Sequence, residues 1–339
     1  MSKKVAIIYW GSRGGGPRQL LNLIRSTEED NQNIFFYVSS NNELLNELKT
    51  ISGAELVINQ IPSHKIRLII DIRLRNRLVG NVLRDLKSKG ITKVYFLLPH
   101  PWDMTLAKRI KRVGGIEIWR GIHDVRRHPG DFWPNGFTIR KLIKYSNTLV
   151  CYSTHIERRL LKYRKPLIKS HLFEVKREAK LIADGCSVLF IGRIKKYKGL
   201  DLLAKAWPLV ANPKKSLTVA GDGKVPNELQ KVGTMFIDKW LSNSEIERLV
   251  RGSNLIVLPY IEASQSGVIA IAHSLSTPVV VTPVGGLVDQ VIEGKNGLIA
   301  AQVTPKALAM AIDAALTRNW ALEIEENPLP NFLSKLQMD

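Results

Sequence analysis

Short apolar runs recur along the whole chain, separated by longer stretches in which apolar residues return at helical spacing. The first run, Val5-Ala6-Ile7-Ile8-Tyr9, leads into an amphipathic stretch over 18–25; Ile34-Phe35-Phe36-Tyr37-Val38 then leads into another over 43–50. Alternation of this kind specifies a parallel sheet covered by helices. It continues through Leu68-Ile69-Ile70, a helical stretch over 77–89, Val94-Tyr95-Phe96-Leu97-Leu98, a helical stretch over 103–113, Ile116-Glu117-Ile118 and Leu149-Val150-Cys151-Tyr152. A second series opens at Val188-Leu189-Phe190-Ile191-Gly192 and repeats at 216–221, 255–259 and 278–282. The rhythm lapses near 164–186, around Pro166 and Gly185. The prediction is two Rossmann-like, doubly wound α/β domains facing each other across a cleft, over residues 1–167 and 168–320. A tail over 321–339 follows, for which a helix crossing back to the first domain is one option. In open sheets of this kind ligands sit at the carboxyl ends of the strands.

Charge separates the two halves. Residues 1–168 hold 30 Lys and Arg against 13 Asp and Glu, an excess of 17 that leaves only 3 of the chain's +20 for the remainder. Such a field attracts nucleic acid, an anionic membrane surface or an acidic substrate, and needs a site to choose among them. The two cysteines, Cys151 and Cys186, lie in apolar runs and read as buried hydrophobes, which favours a reducing, cytoplasmic setting. No stretch reaches the roughly 18 apolar residues of a membrane span.

The second half carries the chemistry. Gly192-Arg193-Ile194-Lys195-Lys196-Tyr197-Lys198-Gly199 follows a strand and precedes a helical run, so Arg193 can fork onto phosphate oxygens with Lys198 as a compact charge beside it. On charge alone a solvated basic loop reads equally well. Gly221-Asp222-Gly223 ends the next strand, with glycines suited to close backbone approach. Pro259-Tyr260-Ile261-Glu262-Ala263-Ser264-Gln265-Ser266-Gly267 ends another and opens a helix at Val268. Backbone N–H groups at Ser266, Gly267 and Val268 would there face an anion. Val284-Gly285-Gly286-Leu287 follows the last strand.

The ordered set G-R-x4-K-G, G-D-G, L-P-Y-x-E-A-x-Q-S-G-V, T-P-V-V-V-T, V-G-G-L-x-D and G-x-N-G resembles the retaining nucleotide-sugar glycosyltransferases of family 4, over residues 187–318. That resemblance implies the GT-B fold and no cofactor or metal. It implies that Arg193 and Lys198 hold a donor diphosphate and that Glu262 sits by the donor sugar. Gly192, Gly221, Gly223, Gln265, Ser266, Gly267 and Val268 are, on the same resemblance, expected to line the donor. One departure stands out. The second carboxylate of the family's E-x7-E pattern falls at Ala270 or Ile271, neither of them acidic.

In the first half, the glycine-rich loop from Trp10 to Arg18 joins the first strand to the first helix, and the resemblance puts Gly15 and Gly16 near the donor. It matches His123 to the histidine beside the donor sugar and Asp124 to that residue's neighbour, a weak acceptor contact, while His128 reads either as a loop organiser or as a weak acceptor contact. His100 and Trp102 close another strand, where an aromatic and a polar group suit a sugar ring, though a buried tryptophan fits equally well. The basic residues include Arg73, Arg77, Arg84, Lys87 and Lys108-Arg109-Ile110-Lys111-Arg112, interleaved with Leu74, Leu78, Val82 and Leu86 as in a helix on an anionic membrane. With little aromatic interleaving, nucleic acid is not the expected partner. The expectation is transfer of a hexose or N-acetylhexosamine from a nucleoside diphosphate sugar, UDP favoured over GDP, to a glycan acceptor on a lipid at the inner face of the cell membrane. A GT-B sugar-nucleotide epimerase and a basic nucleic-acid-binding protein are the alternatives.

Overall fold

A computed structural model describes residues 3–27, 33–53, 55–64, 71–125, 136–172, 185–230, 233–320, 322 and 328–338. The chain forms two compact units, each built on its own parallel sheet.

The first unit runs β1 (Val5–Tyr9), α1 (Gly15–Arg25), β2 (Ile34–Ser39), α2 (Leu45–Lys49), β3 (Glu55–Asn59), α3 (Ile72–Ser88), β4 (Lys93–Phe96), α4 (Asp103–Val113), β5 (Glu117–Ile122), α5 (Gly136–Lys144), β6 (Thr148–Cys151), α6 (Thr154–Leu160) and β7 (Leu167–Lys169). Its seven strands lie in the order β3-β2-β1-β4-β5-β6-β7, with Ile7 opposite both Phe36 and Tyr95. Every β1 residue is buried, as a central parallel strand covered on both faces must be. Its side chains divide by the period of two: Val5, Ile7 and Tyr9 join one core with Leu20 and Leu23, while Ala6 and Ile8 join the other with Val82 and Ile110. The third helix begins earlier than residue 77 because the Asp71 carboxylate accepts from Leu74 N at 2.9 Å and caps it. β7 straddles the expected 167/168 boundary and pairs with β6, so the first sheet runs through Lys169. The expected strand at 68–70 lies outside the described residues.

The second unit runs β8 (Cys186–Ile191), α7 (Leu200–Ala206), β9 (Lys215–Ala220), α8 (Asn227–Gln230), β10 (Met235–Ile237), α9 (Asn243–Arg251), β11 (Leu255–Leu258), α10 (Gly267–Ser274), β12 (Val279–Val281), β13 (Gly297–Ile299) and α11 (Pro305–Thr317). The order is β10-β9-β8-β11-β12-β13. The chain leaves β8 toward β9 and β10, then returns to β11 on β8's other side. The carboxyl ends of β8 and β11 therefore form a topological switch point. A last helix, α12 (Leu329–Gln337), packs Leu329, Phe332, Leu333 and Leu336 into the first unit's core. The Lys93 ammonium holds its end by donating to Met338 O at 2.9 Å.

Candidate functional site

At the switch point of the second unit, three strand-end loops interlock. The loop after β8 carries an exposed Arg193 and a half-buried Lys198, the latter closing a single 3-10 turn, Lys196–Lys198. The next residue, Gly199, has φ of 71°, and a Cβ there would sit 1.8 Å from Pro259 O in the loop after β11. The two loops are stitched where Ile261 N donates to Tyr197 O at 2.9 Å. The loop after β12 joins them: Gly286 N donates to Ala263 O at 3.3 Å, and a Cβ on Gly285 would meet the same carbonyl at 1.6 Å.

Tyr260 links the charged and helical ends of this arrangement. Lys198 Nζ lies 3.8 Å from the centroid of its ring, a cation–π contact. The Tyr260 hydroxyl pairs with Ser266 Oγ at 3.3 Å. Ser266 is clamped in turn by Gln290, which accepts from Ser266 N at 2.7 Å and donates to Ser266 O at 3.0 Å. This corrects one expectation: the Ser266 N–H is committed to Gln290 and does not face an anion. Gly267 and Val268 remain as the first-turn residues of α10, where helix geometry offers no carbonyl for their N–H groups. Glu262 is exposed and Gln265 half-buried on the same loop. Ala270 and Ile271 lie on α10, with Ile271 buried.

The glycines divide by cause. A Cβ on Gly221 would meet Gly192 O at 2.0 Å and one on Gly223 would meet Ile194 O at 2.7 Å, so the packing of the loop after β8 on the loop after β9 by itself requires glycine at both positions. Gly192 N donates to Ala220 O at 3.0 Å in the same seam. Open space lies where a Cβ of Gly192, Gly267 or Gly15 would stand. Gly16 is again a packing glycine, since its Cβ would fall 2.2 Å from the Tyr9 hydroxyl.

In the first unit, the glycine-rich loop is held by Glu43, whose carboxylate accepts from Gly14 N at 2.8 Å and whose own N–H donates to Ser12 O at 2.9 Å. β5 extends to Ile122, so His123 follows its carboxyl end directly. The His123 ring lies 4.2 Å from that of Tyr152, centroid to centroid, and the Tyr152 hydroxyl pairs with that of Tyr95. Burial lowers the His123 pKa to about 4, with Asp124 acting in the opposite direction, so the imidazole is neutral near pH 7. His128 lies outside the described residues.

The acceptor role expected of Trp102 is not offered by its placement. Its exposure is 0%, inside the core with Leu106 and Ile110, and a ring with no open face cannot stack on a sugar. His100 is buried as well, accepting from Trp102 N at Nδ1 over 3.2 Å, with its pKa lowered to about 3 by desolvation. Both belong to a buried network that sequence reasoning missed. Asp103 Oδ2 accepts from His100 N at 2.8 Å and from the fully buried Arg120 guanidinium at 3.0 Å. Burial raises Asp103 to about 6 even though Arg120 pulls it down.

The charge excess takes a definite place. α3, α4 and α5 pack side by side, and their solvent faces present Arg73, Arg77, Arg84 and Lys87, then Lys108, Lys111 and Arg112, then Arg140, Lys141 and Lys144. The acidic residues of these helices are Asp85, half-buried, and Asp103, buried. On α5, Phe137, 62% exposed, heads the same face as the three cations, with Lys141 Nζ 4.2 Å from its ring centroid. No helix among the described residues is long and apolar enough to cross a membrane.

Comparison with known folds matches this architecture. Sucrose-phosphate synthase of Thermosynechococcus elongatus superposes with a TM-score of 0.68 over 93% of this chain and 90% of that one, at 16% identity. Anabaena HepE, solved with UDP and glucose, gives 0.67 over 93% and 90%, at 14% identity. The chain has the GT-B fold. UDP-GlcNAc 2-epimerase of Methanocaldococcus jannaschii shares the architecture, at 0.63 over 98% and 99% and 13% identity. Within the GT-B chain, residues 185–318 match the family described as Glycosyl transferases group 1. An uncharacterized glycosyltransferase of M. jannaschii is 26% identical over 144 residues, covering 40% of this chain and 36% of that protein. D-inositol 3-phosphate glycosyltransferase of Acidothermus cellulolyticus is 28% identical over 160 residues, covering 42% and 36%. The alignments thus span about a third of these two relatives. A second uncharacterized M. jannaschii glycosyltransferase is 24% identical over 323 residues, 89% of this chain and 84% of that one.

Proposed function

We propose that the chain is a retaining glycosyltransferase that moves a hexose or N-acetylhexosamine from a nucleoside diphosphate sugar, UDP favoured over GDP, to a hydroxyl of a lipid-linked glycan. The observation that carries this reading is the linked set Lys198, Tyr260, Ser266 and Gln290 at the β8/β11 switch point, inside the stretch that matches the glycosyl transferase family. Lys198 and Arg193 stabilise the charge that grows on the leaving diphosphate, and the rigid loops hold them in place before reaction. Glu262 binds the donor sugar, and neutral His123 serves as a hydrogen-bonding partner beside that sugar. The leaving phosphate takes the acceptor hydroxyl's proton. The basic face of α3, α4 and α5 holds the enzyme on the anionic inner surface of the cell membrane, which supplies the acceptor.

A thermal-shift screen with UDP, GDP, ADP and their sugars tests the donor side. A nucleotide at a hundred times its Kd adds about 2.7 kcal/mol of apparent stability. UDP is expected to give the largest shift, and Arg193→Glu with Lys198→Glu to remove it; a shift that survives in the double variant overturns the diphosphate assignment. The epimerase reading draws on the near-complete fold match to UDP-GlcNAc 2-epimerase. A C2 epimer formed from UDP-GlcNAc without any acceptor would favour it.

A further inference from the structure

We propose that Tyr152 is a positioning residue that fixes His123 for the transfer step; this rests on the reading above, which sets His123 beside the donor sugar. The register of the first sheet brings the two together. Ile122 and Cys151 are partners across β5 and β6, and His123 and Tyr152 are the residues that follow them. Neighbouring strands run about 4.8 Å apart, so side chains that leave them at the same level on one face come into contact. The two rings do so at 4.2 Å between centroids and 33° between planes, and the Tyr152 ring lies along one face of the imidazole.

Tyr152 is itself held at its far end. Its hydroxyl pairs with that of Tyr95 on β4, and the half-buried Gln19 in the second turn of α1 bonds to it as well. A Cβ on Gly121 of β5 would stand 3.0 Å from the same hydroxyl and 2.2 Å from Leu97 O, so glycine keeps that space open. Behind the pair, Tyr95 meets Phe332 of α12 edge-on, with centroids 5.4 Å apart and planes at 63°. The ring that faces His123 is thus anchored to β4 and α1 and backed by the last helix.

These bonds are not needed to fill the core. Tyr95 and Tyr152 are buried among Leu97, Val150 and Phe332. Two phenylalanines would fill nearly the same volume with no polar atom to satisfy, and a buried hydroxyl costs free energy unless it is bonded. What the hydroxyls add is direction: they stop the Tyr152 ring from sliding, and the imidazole against it keeps one orientation. Gln19 extends the effect, because α1 begins with Gly15 and Gly16, so the same hydroxyl ties His123 to the helix that the glycine-rich loop enters. A misplacement of about 1 Å at a reacting site can lower the rate roughly 100-fold, which gives such anchoring its use.

The test measures kcat and donor KM from UDP release, with UDP-glucose and UDP-GlcNAc and lipid extract from the source cells, alongside UDP affinity by calorimetry and thermal melts. Tyr152→Leu, which removes the ring, should lower kcat about 100-fold with UDP affinity unchanged. Tyr152→Phe keeps the ring and gives up both bonds, and should lower kcat about 10-fold. Added to His123→Ala, either substitution should cost nothing further, since Tyr152 acts through the imidazole. Should the melts show that Tyr152→Leu does not fold, Tyr152→Phe carries the same cycle. Unchanged kcat in Tyr152→Phe, losses that multiply with that of His123→Ala, or UDP affinity falling in step with kcat overturns the positioning role and leaves the donor reading standing. A wild type that turns over neither donor overturns the transfer reading and this role with it.

Discussion

Gly199 and Gly233 share a φ of 71° and differ in what a side chain would meet, which makes them a matched pair for testing the loop interlock. At Gly233 nothing lies within 4 Å of an added Cβ, so Gly233→Ala meets only the cost of left-handed backbone, about 1–2 kcal/mol. Gly199→Ala meets the same cost plus Pro259 O at 1.8 Å, and the loops must part by about 1.6 Å to regain the 3.4 Å of ordinary contact. Forcing atoms into a packed interior adds about 1–3 kcal/mol. At roughly 2–4 °C per kcal/mol for a unit of this size, Gly233→Ala should lower Tm by about 2–8 °C and Gly199→Ala by about 4–20 °C. The shift parts Lys198 from Tyr260, so UDP binding should weaken in Gly199→Ala alone. Differential scanning calorimetry with and without UDP reads both effects. Equal Tm losses, or full UDP affinity in Gly199→Ala, would refute the claim that close backbone packing sets the grip.

Asp103→Ala strands the buried Arg120 guanidinium and should cost about 3–5 kcal/mol, with much of it regained in Asp103→Ala/Arg120→Met; thermal melts that show no rescue would contradict the ion-pair account. Stability should fall as pH drops from 6.5 toward 4, because His100, His123 and His273, the last of these in the final turn of α10, are held by desolvation at about 3, 4 and 4 and take up protons on unfolding. Asp103, raised to about 6, works in the opposite direction, since the folded state protonates it first. The net near pH 5 is about two protons, or about 2.7 kcal/mol per pH unit, and a flat Tm between pH 6.5 and 4.5 would disprove it. Reversing Arg140, Lys141 and Lys144 to Glu should abolish sedimentation with anionic vesicles while leaving UDP affinity intact; retained sedimentation would remove α5 from the membrane face.

The interior of each sheet was legible because central strands must be apolar on both faces: 5–9, 34–38, 94–98, 188–191, 255–258 and 279–281 stand out as runs. The four strands that escaped, β3, β7, β10 and β13, are the edges of the two sheets. An edge strand meets solvent along one side and can carry charged residues such as Glu55 and Lys169, and β7, β10 and β13 are only three residues long, too short to stand out as runs. The site loops were legible from glycine and charge, but the reasons were not. Gly221 and Gly223 look like ligand-facing glycines in a string of letters, and only the carbonyls of Gly192 and Ile194 opposite them reveal the packing. Gln290 clamps Ser266 across 24 positions and no local motif announces it. Trp102 reads equally as a sugar platform and as a core residue until its burial is seen, and the Arg120–Asp103 pair hides inside a strand and a helix start that each look ordinary.

The most direct measurement follows radiolabelled UDP-glucose and UDP-GlcNAc with the wild type and with Arg193→Glu/Lys198→Glu, in the presence of lipid extract from the source cells. The expected result is UDP release matched by label in a lipid-extractable glycan with its anomeric configuration retained, and neither in the double variant. Label recovered only as a C2 epimer of the donor, or transfer undiminished in the double variant, would contradict the account.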